Sequence, residues 1–360
     1  MSYERGNVAR MAGYVYGEQP AGSDIVKLNT NENPYPPSPT VAEALARFDV
    51  ATLRRYPPAT ADDLRGVLAG RLGIEPGNVV ATNGGDEGLR LAITTFVDPH
   101  ATLGLAEPSY SLYPVLAAVQ DCTVTKVPLD AEWRPPGDLA RRLNAAGARL
   151  TCLVNPHAPS GVLLDGETIA RIANELDGVL LVDEAYVDFA DPEREHDLAP
   201  LIRRHDNLLL LRTLSKGYSL AGLRVGFLIG DVGLIQPIRV KTRDSFNVGT
   251  LAQSVAIAAL SDPDHAKRSW RAIRDERARL ADALRALGWF VPESQANFVL
   301  ARKPGAADVY RSLRERGIFV RYFDRPRLAD CLRITVGRDD ENDKLLDAIV
   351  AIAADQRCDG

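Results

Sequence analysis

The sequence predicts an α/β protein whose large domain holds a mostly parallel sheet, followed by a smaller α+β domain. Between residues 79 and 230, short β-rich runs alternate with helical stretches. Several of these runs are apolar on both faces, as strands covered by helices must be. Beyond residue 260, long charged helices are separated by a few short apolar runs. These observations predict two domains in a chain of 360 residues.

The chain opens with an arm, residues 1–39, in which clusters of Asn, Gly and Pro predict an extended segment without packed elements. The large domain is predicted over 40–247 and the small domain over 248–360, with the arm packing against the small domain. Helices are predicted near 39–48, 61–72, 248–260, 262–288, 306–316 and 339–354. Strands are predicted at 79–82, 102–105, 122–125, 150–154, 179–182, 208–211, 225–229, 298–300, 318–320 and 332–336.

Composition excludes several functional classes. The chain is 46% hydrophobic and 25% charged, as in a globular protein, and its net charge of −5 does not favour nucleic acid or anionic membranes. Its four cysteines form no C-x-x-C pair and have no spacing typical of zinc sites or disulfide frameworks. No apolar run resembles a signal peptide or a membrane span. We therefore expect a cytoplasmic protein without a metal, nucleic-acid or membrane partner.

In open α/β sheets, ligands bind beyond the carboxyl ends of the strands, so the residues that follow each strand are the candidates. The 79–82 strand is followed by glycines and Asp86, which leave backbone amides free at a helix N-terminus, a ready phosphate site. A Gly-rich turn alone is more often only a turn. Tyr110 follows the next strand, where it could stack on a planar cofactor or simply pack.

Two further strand ends carry polar groups. Asn155 follows the 150–154 strand, where its amide could hydrogen-bond a phenolic oxygen or belong to a rigid turn. Asp183 ends the 179–182 strand, and a buried carboxylate there needs a partner such as a protonated pyridinium nitrogen. Tyr186 could reach the 3-oxygen of the same ring. Alternatively, Asp183 could have the purely structural role of capping a helix.

The 208–211 strand leads to Ser215 and Lys216, with Arg224 eight residues beyond the lysine. A lysine between a buried strand and a glycine-flanked loop is poorly solvated, and its lowered pKa suits imine formation and proton transfer. Ser215 and Arg224 could both contact a phosphate. Each of these residues could instead have a purely structural role. Their occurrence in this order at successive strand ends nevertheless predicts a complete site for pyridoxal 5′-phosphate (PLP).

The segments 213–216 and 221–226 resemble the lysine motif of the fold-type-I PLP-dependent aminotransferases, which share the aspartate aminotransferase-like fold. Within them the chain is most similar to the histidinol-phosphate aminotransferase family, and the likeness covers nearly its whole length. Further segments that resemble this family's motifs are 27–34, 55–57, 84–87, 183–189 and 331–337.

By that resemblance, Lys216 carries PLP as a Schiff base and Asp183 pairs with the pyridine nitrogen. Asn155 and Tyr186 are expected to bond the 3-oxygen, and Tyr110 to stack on the ring. The phosphate is expected to be held by Gly85, Asp86, Thr213, Ser215 and Arg224.

The resemblance also implies a homodimer with shared active sites, because Tyr56 matches a tyrosine that reaches the cofactor phosphate of the other subunit. Arg333 and Arg321 are expected to bind the anionic groups of the substrate, with Tyr14 and Asn33 on the same side. The chain departs from the family pattern at three places: His157 replaces an amide, glycine replaces the alanine of a G-A-D-E motif, and the loop 321–327 carries extra aromatic and basic residues.

These expectations predict transamination between a small amino acid or amine and 2-oxoglutarate, with histidinol phosphate as the leading amino donor. One alternative is an aromatic amino-acid aminotransferase. Another is a PLP-dependent decarboxylase or other specialised amino-acid enzyme, because the sequence does not show which substrate bond stands perpendicular to the ring. A non-catalytic PLP-binding regulator is disfavoured, because the arm before residue 40 is too short and Pro-rich for a helix-turn-helix.

Overall fold

The computed structural model describes residues 3–22 and 24–358, with side chains described through residue 355. The first two residues of the predicted arm and the Cys358 side chain lie outside this part. The helices are α1 Gly6–Arg10, α2 Pro39–Ala46, α3 Asp62–Leu72, α4 Gly84–Phe96, α5 Leu112–Gln120, α6 Leu139–Ala145, α7 Gly166–Glu175, α8 Val232–Pro237, α9 Thr250–Leu260, α10 Pro263–Ala286, α11 Ala306–Glu315 and α12 Asp339–Cys358. The strands are β1 Val26–Lys27, β2 Val79–Thr82, β3 Thr102–Glu107, β4 Thr123–Pro128, β5 Ala148–Val154, β6 Val179–Asp183, β7 Leu208–Thr213, β8 Gly226–Gly230, β9 Phe298–Arg302, β10 Ile318–Phe319, β11 Arg321–Tyr322 and β12 Cys331–Thr335.

The central sheet has seven strands in the order β2-β8-β7-β6-β5-β3-β4. All neighbours pair parallel except β8, which is antiparallel to both β2 and β7. Its middle strands are buried on both faces, since Leu180, Leu181 and Val182 of β6 have no exposed surface. The α/β class with a mostly parallel sheet is therefore confirmed.

The sheet brings the predicted strand ends to one edge. Because β3, β5, β6 and β7 run in the same direction, the loops that follow them leave the sheet on the same side. Strand β2 is antiparallel to β8, which is itself antiparallel to β7, so β2 also ends at this edge. The N-terminus of α4 therefore faces the same side as the loops after β6 and β7.

The small domain is built on an antiparallel sheet in the order β11-β12-β9. Its core includes side chains from β9, α10 and α12, for example Val299, Leu280 and Leu345. None of the described helices combines the length and apolar character that crossing a membrane requires.

The arm differs from the predicted extended segment. Val26 and Lys27 form β1, which pairs in parallel with β10 of the small domain, and a short helix precedes it. Val26 and Leu28 are buried, so their apolar side chains fix a strand where the Asn and Pro clusters suggested none.

Helix α9 lies just beyond the predicted boundary between residues 247 and 248. It packs on α2 and α3, and its Val255 and Ala259 belong to the same buried cluster as Val41 of the predicted large domain. This cluster also includes Leu300 and Cys331 of the predicted small domain, so it does not divide the chain, and the boundary stays a prediction.

Candidate active site

A cavity of about 920 Å³ lies at the carboxyl edge of the central sheet, between the sheet, the arm and the small domain. Its walls come from segments far apart in the chain, which only the fold brings together. The residues predicted for the site that line it are Tyr14, Gly85, Asp86, Tyr110, Asp183, Tyr186, Thr213, Ser215, Lys216, Arg224, Arg321 and Arg333.

Lys216 lies three residues beyond β7, and its amine faces the cavity. Its Nζ donates a hydrogen bond to the carbonyl oxygen of Thr30 in the arm, at 2.9 Å. Loss of solvent lowers the pKa of this amine to about 8, and the positive charge of Arg333 acts in the same direction. A pKa near neutrality lets the amine serve both as a nucleophile and as a proton carrier.

Asp183 ends β6 as a carboxylate that is only 5% exposed. It accepts hydrogen bonds from the Tyr113 hydroxyl at 2.9 Å and the Ala185 amide at 3.1 Å. Within the described part of the chain no cationic side chain pairs with it. Burial raises its pKa to about 6, although both hydrogen bonds favour the ionised form. A buried carboxylate without a counter-charge suits a cationic ligand atom such as a protonated ring nitrogen.

An anion cradle lies at the N-terminus of α4. The Arg224 guanidinium is 3.4 Å from the Ser215 hydroxyl and 3.2 Å from the Asp86 carboxylate. A Cβ atom on Gly84, whose φ is +80°, would lie 2.6 Å from this guanidinium, so glycine allows the close approach. The first backbone amides of α4 have no partner within the helix and add to the positive potential. The Thr213 hydroxyl supports Ser215 by a hydrogen bond of 2.9 Å.

Two tyrosines flank the lysine and the carboxylate. Tyr110 packs edge-on to Tyr14 and Tyr113, with ring centroids 6.0 Å and 5.5 Å apart. The Tyr186 hydroxyl accepts a hydrogen bond from the Asn31 amide at 3.0 Å. Burial raises the pKa of both phenols, so both stay protonated and can donate to a ligand.

Two arginines supply positive charge on the small-domain side. The Arg333 guanidinium donates to the Asn29 carbonyl oxygen at 2.9 Å, while its buried Nε has no hydrogen-bond partner among the described residues. Both Arg333 and Arg321 lie against the ring of Phe323, at 5.6 Å and 5.4 Å from its centroid. Neither pairs with a carboxylate in the part of the chain that the structure describes. Because these two cations have no acidic partners there, both can pair with the anionic groups of a substrate.

A family model described as aminotransferase class I and II matches residues 23–349. The chain belongs to this family. Histidinol-phosphate aminotransferase 1 of a Nostoc species is 41% identical over 352 residues, which cover 97% of each chain. Histidinol-phosphate aminotransferase 1 of Bordetella parapertussis is 42% identical over 352 residues, covering 96% of this chain and 97% of that one.

A crystal structure of the histidinol-phosphate aminotransferase of Sinorhizobium meliloti, in complex with pyridoxal 5′-phosphate, superposes with a TM-score of 0.89. It is 26% identical and the match covers 98% of this chain and 99% of that one. The predicted family, fold and enzyme class are thus confirmed for this aminotransferase. Its residues also fit PLP, because an amine, an anion cradle and a buried carboxylate without a cation line one cavity.

Two asparagines that were predicted to face the ligand are not among the residues that line this cavity. Asn155 is fully buried, and its side-chain amide is bonded to the backbone of Leu164 through both its nitrogen and its oxygen. Its nitrogen carries a second N–H, so these bonds do not exclude a contact with a ligand. Asn33 accepts from the Tyr35 amide and points its nitrogen at Ser269 of α10. The roles expected for both asparagines stay predictions.

Tyr56 is also outside the cavity of its own chain. Its side chain is 81% exposed and stacks on Phe246, with ring centroids 4.5 Å apart. A role at the cofactor therefore requires a second subunit.

Three residues of the site went unnoticed in the sequence. Tyr113 donates to Asp183, the Thr30 carbonyl oxygen accepts from Lys216, and the Phe323 ring contacts both arginines. Tyr113 sits inside an apolar helix and Thr30 acts through its backbone, so neither gives a sequence signal. Phe323 could have been noticed, because it is one of the extra aromatic residues by which the 321–327 loop departs from the family pattern.

Proposed function

We propose that the protein is a PLP-dependent aminotransferase that moves the amino group of histidinol phosphate to 2-oxoglutarate. One observation carries this proposal: Lys216, Asp183 and the anion cradle of Arg224 line the same cavity as two arginines. Among the described residues, neither of these arginines pairs with a carboxylate. PLP, when bound, supplies an electron sink for the charge that develops at the reacting carbon of the substrate. The chain's own residues supply attachment, orientation and proton transfer.

Lys216 is proposed as the amine that anchors the cofactor and then carries the proton at the reacting carbon. With a pKa of about 8, roughly a tenth of this amine is unprotonated at neutral pH. Asp183 is proposed to keep the ring nitrogen protonated, and Tyr186 to donate to the 3-oxygen. Tyr110 is proposed to lie against the ring. The phosphate is assigned to Gly85, Asp86, Thr213, Ser215 and Arg224.

The substrate assignment rests on Arg321 and Arg333. Histidinol phosphate carries a phosphate and no carboxylate, whereas 2-oxoglutarate carries two carboxylates. A pair of arginines serves both, because guanidinium binds either anion through paired hydrogen bonds. The unpartnered Nε of Arg333 offers one such donor. Tyr14 lines the same side of the cavity and is proposed to contact the donor substrate. The names of the relatives support histidinol phosphate as the amino donor.

We also propose a homodimer in which Tyr56 reaches the cofactor phosphate of the partner subunit. Besides Tyr56, exposed apolar side chains include Leu53, Val240, Phe246 and Leu251. Such side chains favour a covering partner. Mixing a Lys216→Ala protein with a Tyr56→Ala protein tests this: hybrid dimers should regain activity, because one of their two sites is then intact. Failure to regain activity in verified hybrids would refute shared sites. A cytoplasmic location and the absence of nucleic-acid and membrane partners stay predictions.

The function is tested by incubating the PLP-loaded protein with histidinol phosphate and 2-oxoglutarate and measuring glutamate. Borohydride reduction followed by mass spectrometry should place the cofactor on Lys216. Lys216→Ala should lose both signals, whereas Lys267→Ala, at an exposed lysine of α10, should keep both.

Other outcomes assign other functions. Glutamate formed only from aromatic amino acids would refute histidinol phosphate as the donor. Carbon dioxide released from an added phosphorylated amino acid, with no glutamate formed from histidinol phosphate, would refute transamination and favour a decarboxylase. Cofactor attached to a lysine other than Lys216 would refute the proposed site.

A further inference from the structure

We propose that Arg327 is a positioning residue that clamps the substrate side of the cavity to the large domain by resting on Trp133, whose ring in turn lies against His157. These three residues are called the interdomain clamp. The inference rests on the proposed function, since it names how the substrate-binding loop is held. It accounts for two of the three places where the sequence departs from the family pattern, His157 and the 321–327 loop.

The loop between β11 and β12 forms part of the cavity wall. Phe323, Asp324, Arg325 and Leu328 line the cavity next to Arg321 of β11. The loop belongs by connection to the small domain, yet Leu328 is buried in the hydrophobic cluster of the large domain. Its position therefore depends on contacts across the domain boundary.

Arg327 makes the polar part of this contact. One guanidinium nitrogen donates to the Leu129 carbonyl oxygen at 2.7 Å, and the other donates to the Asp130 carbonyl oxygen. The guanidinium also lies 4.0 Å from the centroid of the Trp133 ring. This combines two hydrogen bonds with a cation–π contact, a set that only arginine among the charged residues can make at once.

Backbone conformations at both ends of the contact are unusual. Arg327 has φ +71° and Trp133 has φ +66°, in the left-handed region that residues with a side chain seldom adopt. Such conformations persist where surrounding contacts impose them, and they are typical of functional segments. Here they turn the guanidinium and the indole toward each other.

His157 extends the clamp to the far wall of the cavity. Its ring lies 6.0 Å from that of Trp133, and its Nε2–H donates to the Pro108 carbonyl oxygen at 2.8 Å. Its Nδ1 accepts from the Ser160 hydroxyl at 2.7 Å. The Pro108 carbonyl can only accept, which fixes this tautomer. Burial lowers the pKa of His157 to about 4, so the ring stays neutral at physiological pH.

The walls that the clamp joins are those that hold the ligand. Pro108, Tyr110 and Ala158 line the cavity. His157 does not line it, but it directly precedes Ala158 in the chain and is hydrogen-bonded to Pro108. Removing the Arg327 guanidinium should therefore increase the mobility of residues 323–330 and of Arg321, which lies next to them. The anion cradle at α4 does not contact the clamp, so cofactor binding should not change.

The test compares Arg327→Ala with wild type in the PLP-loaded enzyme. We expect the KM for histidinol phosphate to rise about tenfold, with kcat changed less than about twofold, because substrate binding is weakened and chemistry is not. Hydrogen exchange of peptides covering 321–331 should accelerate, and the affinity for PLP should stay at the wild-type value. Arg311→Ala, at an exposed arginine of α11 paired with Asp308, is the matched control and should change none of these.

Arg327→Lys separates positioning from charge, because lysine keeps the charge but cannot donate to both carbonyls while lying flat on the indole. It should behave like Arg327→Ala. A lysine variant with the wild-type KM, unchanged exchange in Arg327→Ala, or loss of kcat and PLP at constant KM would each overturn the proposal. If Arg327→Ala does not fold, Trp133→Phe gives the same test with a smaller rise in KM. A wild type without any turnover would refute the proposed function, and hydrogen exchange would still decide the clamp.

Discussion

Replacing Asp183 with asparagine should make the cofactor-free protein more stable, although this carboxylate is proposed to be essential. Burial raises its pKa from 3.8 to about 6, so the folded state holds its ionised form at a cost. At a pH above both pKa values, this difference lowers the free energy of unfolding by about 3 kcal/mol. Asparagine removes that cost, but the two donors bond different oxygens of Asp183, and one of these oxygens becomes an NH2 group that cannot accept. The lost hydrogen bond costs about 1 kcal/mol. The expected net gain is about 2 kcal/mol.

The sign of the pH dependence follows from the direction of the shift. Between pH 3.8 and about 6 the folded carboxyl binds more protons than the unfolded one, so wild-type stability falls as the pH rises through this window. Asp183→Asn lacks this fall. The variant should therefore have no advantage near pH 4, where the lost hydrogen bond outweighs the small cost of ionisation, and its full advantage above pH 7. In a chain of this size, 2 kcal/mol raises the Tm by roughly 2–3 °C.

The assay is thermal unfolding of cofactor-free protein at fixed concentration across this pH range, repeated with saturating PLP. PLP should reverse the order, because a protonated ring nitrogen gives the wild-type carboxylate the cation that it lacks. Asp275→Asn, at an exposed carboxylate of α10, serves as the control. A cofactor-free variant that is no more stable than wild type at pH 8, or an equal gain from PLP in both, would refute the reasoning.

Two further changes probe the surroundings of this carboxylate. Tyr113→Phe removes the hydroxyl that donates to Asp183, so the affinity for PLP, measured by fluorescence titration, should fall roughly tenfold, and an unchanged affinity would contradict the role given to Tyr113. Asn155→Ala removes both hydrogen bonds to Leu164 inside the core, so chemical unfolding should show a loss of about 2–3 kcal/mol. An altered absorbance per bound PLP would support the predicted bond from Asn155 to the 3-oxygen, and a wild-type absorbance would contradict it.

The sequence could predict where the site lies because strand direction decides it. Parallel strands put their carboxyl ends at one edge, and Asp183 and Lys216 are each tied to such an end by a short stretch of chain. The position of a residue along a strand does not fix the direction of its side chain in the loop that follows. Asn155 shows this, because its amide turns back to Leu164 and leaves Ala158 at the cavity wall.

Contacts between distant segments were beyond prediction for a different reason. Tyr113 and Asp183 are separated by 70 positions, and Thr30 and Lys216 by 186. Neither partner shows in the sequence what it will meet, because both contacts depend on how α5 and the arm pack over the sheet. The strand β1 in the arm is similar, since it exists only by pairing with β10.

This difference explains why the cofactor was easier to predict than the substrate. The residues proposed for PLP lie mostly at strand ends and helix starts of one sheet, where local sequence and topology determine their places. The residues proposed for the substrate lie on the small-domain side, where Arg321 and Arg333 share the ring of Phe323. Their position depends on the interdomain clamp, whose three members come from three separate loops. Substitutions in the clamp should therefore weaken substrate binding while leaving cofactor binding intact.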